Sequence, residues 1–158
     1  MKVRSVVLAL AILFALTASP AMAEATTYRE NYKIPLNMYV WIPCAADGAG
    51  EWVVLSGRLH VLFHYTLDGN GGFHYKSHYQ PQGISGLGQT TGDKYQGTGV
   101  TQDQDNGKVG YEYTYVNNFR IIGQGPGNNY LIHHNLHYTI NANGELTAWV
   151  DNFSAECK

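Results

Sequence analysis

Apolar and polar residues alternate along much of this chain, most clearly from Trp52 to Leu67. The odd positions of that segment are apolar or glycine: Val53, Leu55, Gly57, Leu59, Val61, Phe63, Tyr65 and Leu67. The even positions include Arg58, His60 and His64. A period of two is typical of a strand with one buried and one exposed face. We therefore predict a long strand over residues 52–67.

The remainder of the chain after residue 23 shows no helical period and is rich in residues that favour strands and tight turns. The further predicted strands are Ile34–Pro43, Phe73–Gln80, Lys94–Thr101, Tyr111–Ile122, Tyr130–Asn141 and Glu145–Glu156. We assign Gln102–Lys108 to a turn and the glycine-rich segment Gly83–Gly99 to a mobile loop that gates one end of the fold. A run of about six to eight antiparallel strands must protect its edges. The prediction is an all-β protein with a single antiparallel β-barrel, and a β-sandwich is the alternative.

Two turns set the registers of the predicted hairpins. The first is the glycine-rich segment Asp68–Gly72, and the second is Asn143-Gly144, the strongest short hairpin signal in the chain. The pairs expected from these two turns are Leu67 with Phe73, His64 with Lys76, Ile140 with Thr147, and His134 with Phe153.

In length and strand order the predicted barrel resembles the calycins, the lipocalin type of small ligand-holding barrel. The resemblance is one of architecture only. It implies a compact all-β container, but the sequence holds no family motif, so no functional residue is carried over from that family.

The first 23 residues have the features of a secretory signal peptide. Lys2 and Arg4 form a basic start, an apolar run extends from Val6 to Leu16, and Ala21-Met22-Ala23 matches a cleavage site. Removal of these 23 of the 158 residues leaves 135, a length that suits one domain. We expect a signal peptide at 1–23 and a β-barrel domain at 24–158. The protein is then secreted or periplasmic, without membrane insertion after cleavage.

The charge of the chain narrows the class of partner. The whole chain has ten basic and twelve acidic residues. Lys2 and Arg4 belong to the first 23 residues, so the remainder carries a formal net charge of −4 with neutral histidines. Because no basic residues cluster, we expect no binding of nucleic acid or of anionic membrane surfaces. A small-molecule ligand is the expected partner.

The chain has two cysteines, Cys44 and Cys157. An even pair in an exported protein usually closes a disulfide, and we predict one here. The alternative is a thiolate nucleophile or metal ligand, for which neither cysteine has a nearby Cys or His at suitable spacing.

Six of the seven histidines fall on the polar side of the predicted strands. Those on the first hairpin are His60, His64, His74 and His78, and the expected register makes them diagonal neighbours. A zinc or copper site is one interpretation, since imidazole suits both ions. A solvated, hydrogen-bonding sheet face is the other, because Lys76 lies within the group and repels cations. His133 and His137 are interpreted as surface residues.

His134 alone falls on the apolar side, as a diagonal neighbour of Asp151. A carboxylate beside a histidine orients the ring and raises its basicity, which suits general acid–base work. The alternative is a purely structural buried pair, since neither serine nor cysteine accompanies it.

Three functional hypotheses follow from these patterns. The first is a non-catalytic protein, without a cofactor, that binds a partly apolar small molecule. The predicted ligand-lining aromatic residues are Phe63, Tyr65, Tyr75, Tyr138 and Trp149. The second is an isomerase or cyclase with His134 and Asp151 as catalytic residues. The third is a metal-binding or surface-interaction protein that uses the histidines of the first hairpin. The sequence leaves open whether the protein is an enzyme.

Overall fold

The computed structural model describes residues 24–158, in which every regular element apart from one short 3₁₀ turn is a β-strand. The strands are β1 (Thr26–Ile42), β2 (Glu51–Leu67), β3 (Phe73–Gly88), β4 (Lys94–Thr98), β5 (Thr101–Gly107), β6 (Tyr111–Asn117), β7 (Arg120–Gly123), β8 (Tyr130–Ile140) and β9 (Leu146–Cys157). All their pairings are antiparallel. The all-β prediction is confirmed. The predicted signal peptide at 1–23 lies outside the described residues.

Six of the strands form a closed ring of pairings. β3 pairs with both β4 and β5, and β8 pairs with both β6 and β7. β4 pairs with β7, and β5 with β6, which completes the ring. β2 and then β1 extend the sheet from β3, while β9 extends it from β8. Within residues 24–158, β1 and β9 each pair with one neighbour only and are the edges of the sheet.

The ring exists because two long strands are each interrupted once. Gly99 and Val100 separate β4 from β5, and Asn118 and Phe119 separate β6 from β7. Gly99 has a φ of +103°, and a Cβ there would lie 2.0 Å from the carbonyl oxygen of Asn118. Glycine is therefore required for the close approach. The register of β4 on β7 continues that of β5 on β6, so the two interruptions lie side by side and divide the sheet into two regions.

One region holds the buried core, and we call it the closed end. Its fully buried apolar residues are Ile42, Ala45, Val53, Leu55, Ile84, Tyr95 and Ile121. The predicted disulfide between Cys44 and Cys157 is confirmed, with the two Cα atoms 5.9 Å apart. It joins the segment after β1 to the end of β9, so a covalent bond ties the two edges of the sheet together at the closed end.

The other region, the open half, consists of β5, β6 and the parts of β2, β3, β8 and β9 that lie alongside them. We call the side of the sheet that carries Val53, Leu55 and Val61 the inner face, and the opposite side the outer face. Large inner-face side chains of the open half remain exposed, including Trp149 at 57% and Phe153 at 65%. The inner face is therefore buried at the closed end and accessible over much of the open half, where Val61 and Ser77 are the fully buried exceptions.

Two of the loop predictions are wrong. Gln102–Lys108 is not a turn, because residues up to Gly107 belong to β5, whose backbone pairs with β3 on one side and β6 on the other. Gly83–Gly99 is not a mobile loop, since β3 continues to Gly88 and β4 begins at Lys94. Its glycines serve close packing instead: a Cβ on Gly86 would lie 1.8 Å from the carbonyl oxygen of Val54.

The predicted registers are confirmed over most of both hairpins. Leu67 pairs with Phe73 and His64 with Lys76 in the first hairpin, and His134 pairs with Phe153 in the last. The exception is Ile140, which pairs with Leu146 rather than Thr147. The reason lies in the turn, where the Asn141 side-chain oxygen accepts hydrogen bonds from the backbone N–H groups of Asn143 and Glu145, 2.9 and 3.0 Å away.

Candidate functional site

The strand registers align inner-face side chains of the open half in three rows that cross the sheet. The aromatic row runs through Tyr28, Tyr65, Tyr75, Asp105, Tyr113, Tyr138 and Trp149. The carboxylate row runs through Glu30, Phe63, Ser77, Asp103, Tyr115, Leu136 and Asp151. The histidine row runs through Tyr32, Val61, Tyr79, Thr101, Asn117, His134 and Phe153.

The predicted ligand-lining aromatic residues lie together on this face. Tyr65, Tyr75, Tyr138 and Trp149 share the aromatic row, and Phe63 occupies the next one. The rings of Phe63 and Tyr75 meet edge to face with centroids 5.2 Å apart. Those of Tyr138 and Trp149 stack at 5.9 Å. The separations match those favoured by aromatic pairs, so four of the five residues form two contacting pairs at opposite sides of the open half. The ring of Tyr65 contacts Tyr28 and Phe73 instead.

A cavity of about 420 Å³ lies nearer the closed end than these aromatic residues. Its lining is mainly apolar and aromatic: Leu36, Met38, Leu59, Tyr79, Pro81, Tyr113, Tyr115, Phe119 and Ile132, with Thr101, Asp103 and Asn117 as polar members. None of the five predicted aromatic residues lines it. These five residues lie on the same face but farther from the closed end. The cavity therefore extends from the carboxylate and histidine rows toward the closed end, adjacent to the predicted position, and Tyr113 is its member from the aromatic row.

Asp103 is the charged residue of the cavity lining. Burial raises the pKa of Asp103 above its usual value, and the negative charge of Asp105 raises it further. The hydroxyls of Tyr75, Ser77 and Tyr79 act in the opposite direction, because they favour the charged form. Within residues 24–158, the buried side-chain oxygen or nitrogen atoms without a hydrogen-bond partner are Oδ1 of Asp103 and Oδ1 of Asn128. Asn128 belongs to the closed end, whereas Asp103 lines the cavity.

The tyrosines around the carboxylates remain protonated. Burial, with the charges of Asp103 and Asp105, raises the pKa of Tyr113 to about 12. Burial also raises the pKa of Tyr115, where Asp103 contributes. Asp105 accepts a hydrogen bond from the hydroxyl of Tyr111. The walls of the cavity therefore present neutral rings and hydroxyl donors over the whole physiological pH range.

The His134–Asp151 pair forms a hydrogen bond, with Nε2 of the ring 2.9 Å from Oδ1 of the carboxylate. The side chains are 28% and 45% exposed. The rings of Tyr115 and Phe153 contact the imidazole edge to face at 5.5 Å. His134 does not line the cavity, but its row neighbour Asn117 does. The pair thus stands beside the cavity and faces the open part of the inner face.

The other six histidines lie on the outer face, as their alternation predicted. Two of them bond to polar side chains of an adjacent strand, His60 to Asn31 at 2.6 Å and His74 to Asn106 at 2.9 Å. His133 bonds to Asn118, between β6 and β7, at 2.6 Å. His64 and His78 line an outer depression together with Arg29 and Lys76, whose charges repel cations.

The part of the chain that the structure describes shows no group of three His, Cys, Asp or Glu side chains arranged to hold a metal ion. A zinc or copper site at His60, His64, His74 and His78 therefore stays a prediction, without a geometric observation in its favour.

A second buried carboxylate, Glu51, lies at the closed end and is only 1% exposed. It accepts hydrogen bonds from the backbone N–H groups of Thr90 and Thr91, and from the hydroxyls of Thr91 and Tyr95, at 2.8 to 3.1 Å. Burial alone would raise the pKa of Glu51, but the bonds from Thr91, Tyr95 and Thr90 outweigh it, and the pKa lies below its usual value. Glu51 therefore holds the turn between β3 and β4.

Sequence reasoning missed Asp103 and Asp105, because it placed both in a turn. One signal was present: Thr101, Asp103 and Asp105 alternate with Gln102 and Gln104, which is a period of two. An all-polar strand gives no hydrophobic period, so this signal carries weight only once β3 and β6 are known to flank the segment.

No helix among residues 24–158 is long and apolar enough to cross a membrane. Comparison of the chain with protein-family models, curated proteins and solved structures finds no significant match, so the inner face itself is the basis for any functional proposal.

Proposed function

We propose that this protein is an exported, non-catalytic binding protein that holds a small, partly apolar molecule in the cavity of the open half. The single observation that carries the proposal is the cavity of about 420 Å³. Ligand sites in proteins usually measure about 300–1,000 Å³ and combine apolar walls with a few polar groups. The cavity fits this description in both volume and lining.

The division of the sheet supports the same function. The closed end contains the buried core cluster and the disulfide. In this proposal the sheet is a calycin-like barrel whose edges β1 and β9 the disulfide holds together. The aromatic row then forms the entrance, where Tyr65, Tyr75, Tyr138 and Trp149 contact the exposed part of the ligand. The disulfide also suits a secreted or periplasmic location.

Binding of a neutral, apolar fluorescent probe tests this proposal. We expect N-phenyl-1-naphthylamine to bind the purified protein with one-to-one stoichiometry. Leu59→Trp fills the cavity, so the affinity should fall at least about tenfold, which corresponds to the loss of one good apolar contact region. Leu62→Trp is the matched control, because Leu62 lies on the outer face of the same strand and is 43% exposed.

Circular dichroism and thermal unfolding establish that both variants are folded. Equal probe affinity in the two tryptophan variants, or no binding by the unmodified protein, contradicts the proposal.

A second candidate function rests on the hydrogen bond between His134 and Asp151 beside the cavity. In this candidate His134 is a general base, oriented by Asp151, in an isomerase or cyclase reaction. The test is conversion of a compound that binds the cavity, followed by mass spectrometry or chromatography. We expect product with the unmodified protein and with His137→Ala, whose ring lies on the outer face, but not with His134→Ala. Product formation by His134→Ala, or none by the unmodified protein, rejects this candidate.

A further inference from the structure

We propose that the ligand of the cavity is an organic cation, an ammonium group joined to an apolar body, and that the ammonium binds between Asp103 and the rings of Tyr79, Tyr113 and Tyr115. This inference rests on the proposed binding function and names the chemical class of its ligand. It is carried by the chemistry of the lining, the separation of charges across the sheet, and the unpartnered oxygen of Asp103.

The lining combines a carboxylate with aromatic rings and contains no basic side chain. A cation within about 6 Å of a ring centroid is attracted by the electron-rich face, and a carboxylate adds a direct ion pair. Aromatic residues around a single acidic group are the arrangement by which proteins bind quaternary ammonium ligands. Leu36, Met38 and Leu59 then supply an apolar surface for the body of the ligand.

The basic residues of the strands are confined to the outer face, whereas the charged residues on the inner face of the open half are acidic only. The registers place Glu30, Asp103, Asp105 and Asp151 on the inner face of the open half. The lysines and arginines of the described strands all fall on the outer face: Arg29, Lys33, Arg58, Lys76, Lys94 and Arg120. A concave surface lined by one sign of charge concentrates ligands of the opposite sign. The inner face therefore attracts cations and repels anions.

The Oδ1 atom of Asp103 is a hydrogen-bond acceptor with no donor in the protein. A buried polar atom without a partner is costly, and native structures contain few of them. Because this atom is itself buried, an ammonium group in the cavity compensates the carboxylate through its positive charge and not through a hydrogen bond to Oδ1. A neutral ligand supplies no such charge and gains nothing from the acidic inner face.

The experiment compares a cation with its uncharged isostere. Phenyltrimethylammonium and tert-butylbenzene have nearly the same shape, so a difference in affinity reports on the charge. Each competes against the neutral naphthylamine probe on the unmodified protein. We expect the cation to bind at least about tenfold more tightly than the isostere. In Asp103→Asn this preference should disappear, while the affinity for the neutral probe is retained.

Asp47→Asn is the matched control, because it removes the same charge from an exposed turn where asparagine tolerates the positive φ of 54°. It should leave the cation preference unchanged. Equal affinities for the cation and its isostere, or an unchanged preference in Asp103→Asn, overturn the inference. In those cases binding of the neutral probe still supports the proposed function. Failure of the neutral probe to bind contradicts both the proposed function and the inference that the ligand is a cation.

Discussion

Glu51 and Asp103 are carboxylates on the same inner face, but they lie in different regions of the sheet and their pKa values shift in opposite directions. At the closed end Glu51 is almost fully buried, yet donors from Thr90, Thr91 and Tyr95 surround it and lower its pKa. In the open half one oxygen of Asp103 has no partner, and burial raises the pKa of this carboxylate above its usual value. The hydrogen bonds outweigh the cost of burial at Glu51, whereas at Asp103 they do not.

The contrast separates a stabilising region from the proposed binding region. A buried charge that is fully hydrogen-bonded fixes one local structure, as Glu51 fixes the turn before β4. A charge whose donors do not offset the cost of its burial destabilises the protein, and such groups cluster at functional sites. Three measurements test this division, from the largest expected effect to the smallest.

Removal of the disulfide should have the largest effect. Cys44→Ser with Cys157→Ser releases a link between residues 113 positions apart. We expect the free energy of unfolding to fall by about 2–5 kcal/mol, because the unfolded chain is no longer constrained. Urea unfolding of the double variant and of the unmodified protein measures the difference. An unchanged midpoint would show that the closed end does not depend on its covalent link.

Loss of the Glu51 charge should have the next largest effect. Glu51→Gln keeps the shape but weakens the charge-assisted hydrogen bonds, so we expect a loss of about 2–3 kcal/mol at pH 7. Because the folded pKa lies below the usual value of 4.5, this stability is present above pH 4.5 and is lost as pH falls through the folded pKa. The difference between the two proteins should therefore shrink in acid.

The matched control for Glu51 is Glu112→Gln, which removes an exposed carboxylate from the outer face of β6. Its effect on unfolding should be close to zero at every pH. Equal losses in both variants would show that overall charge, and not the hydrogen bonds around Glu51, determines the result.

Asp103→Asn should give the smallest effect, and in the opposite direction. Because the folded pKa of Asp103 is raised, its protonated form stabilises the fold, and that stability is fully present below pH 3.8 and lost as pH rises through the folded pKa. A neutral asparagine avoids this loss, so we expect a gain of about 1 kcal/mol at pH 7 that disappears below pH 3.8.

The groups around Asp103 that influence its pKa lie on three strands. They are Tyr75, Ser77 and Tyr79 on β3, Asp105 on β5, and Tyr115 on β6. Thermal unfolding at several pH values measures the effect. A loss of stability at pH 7 would mean that Asp103 is a structural residue like Glu51.

The pattern of apolar residues predicted the two hairpins well, because both depend on local signals. The alternation from Trp52 to Leu67 and the turn at Asn143-Gly144 set faces and registers that the structure confirms. His134 was placed on the inner face, opposite Phe153, by the same counting. The disulfide followed from the presence of two cysteines in a chain that we predict to be exported. In each case the relevant information lies within one or two adjacent strands.

The apolar pattern did not predict the candidate cavity, because the cavity depends on strands that carry no apolar period. Asp103 lies in a central strand specified by backbone pairing with β3 and β6, and its polar neighbours resemble a turn. The prediction of a mobile loop at Gly83–Gly99 was wrong for a related reason. Glycine permits both flexible loops and close packing, and here the proximity of Val54 to Gly86 decides between them. Such proximity is a property of the folded sheet and not of the local sequence.

The unpaired edges of the sheet have a consequence for association between molecules. A long free edge is a template on which another strand can add, and β1 offers such an edge over 17 residues. This strand contains Pro35, which has no N–H to offer a visiting strand, and its outer face carries Arg29 and Lys33. Proline and cationic side chains are the usual protection of sheet edges against aggregation. The protection of this edge against strand addition therefore rests on three residues that do not line the cavity.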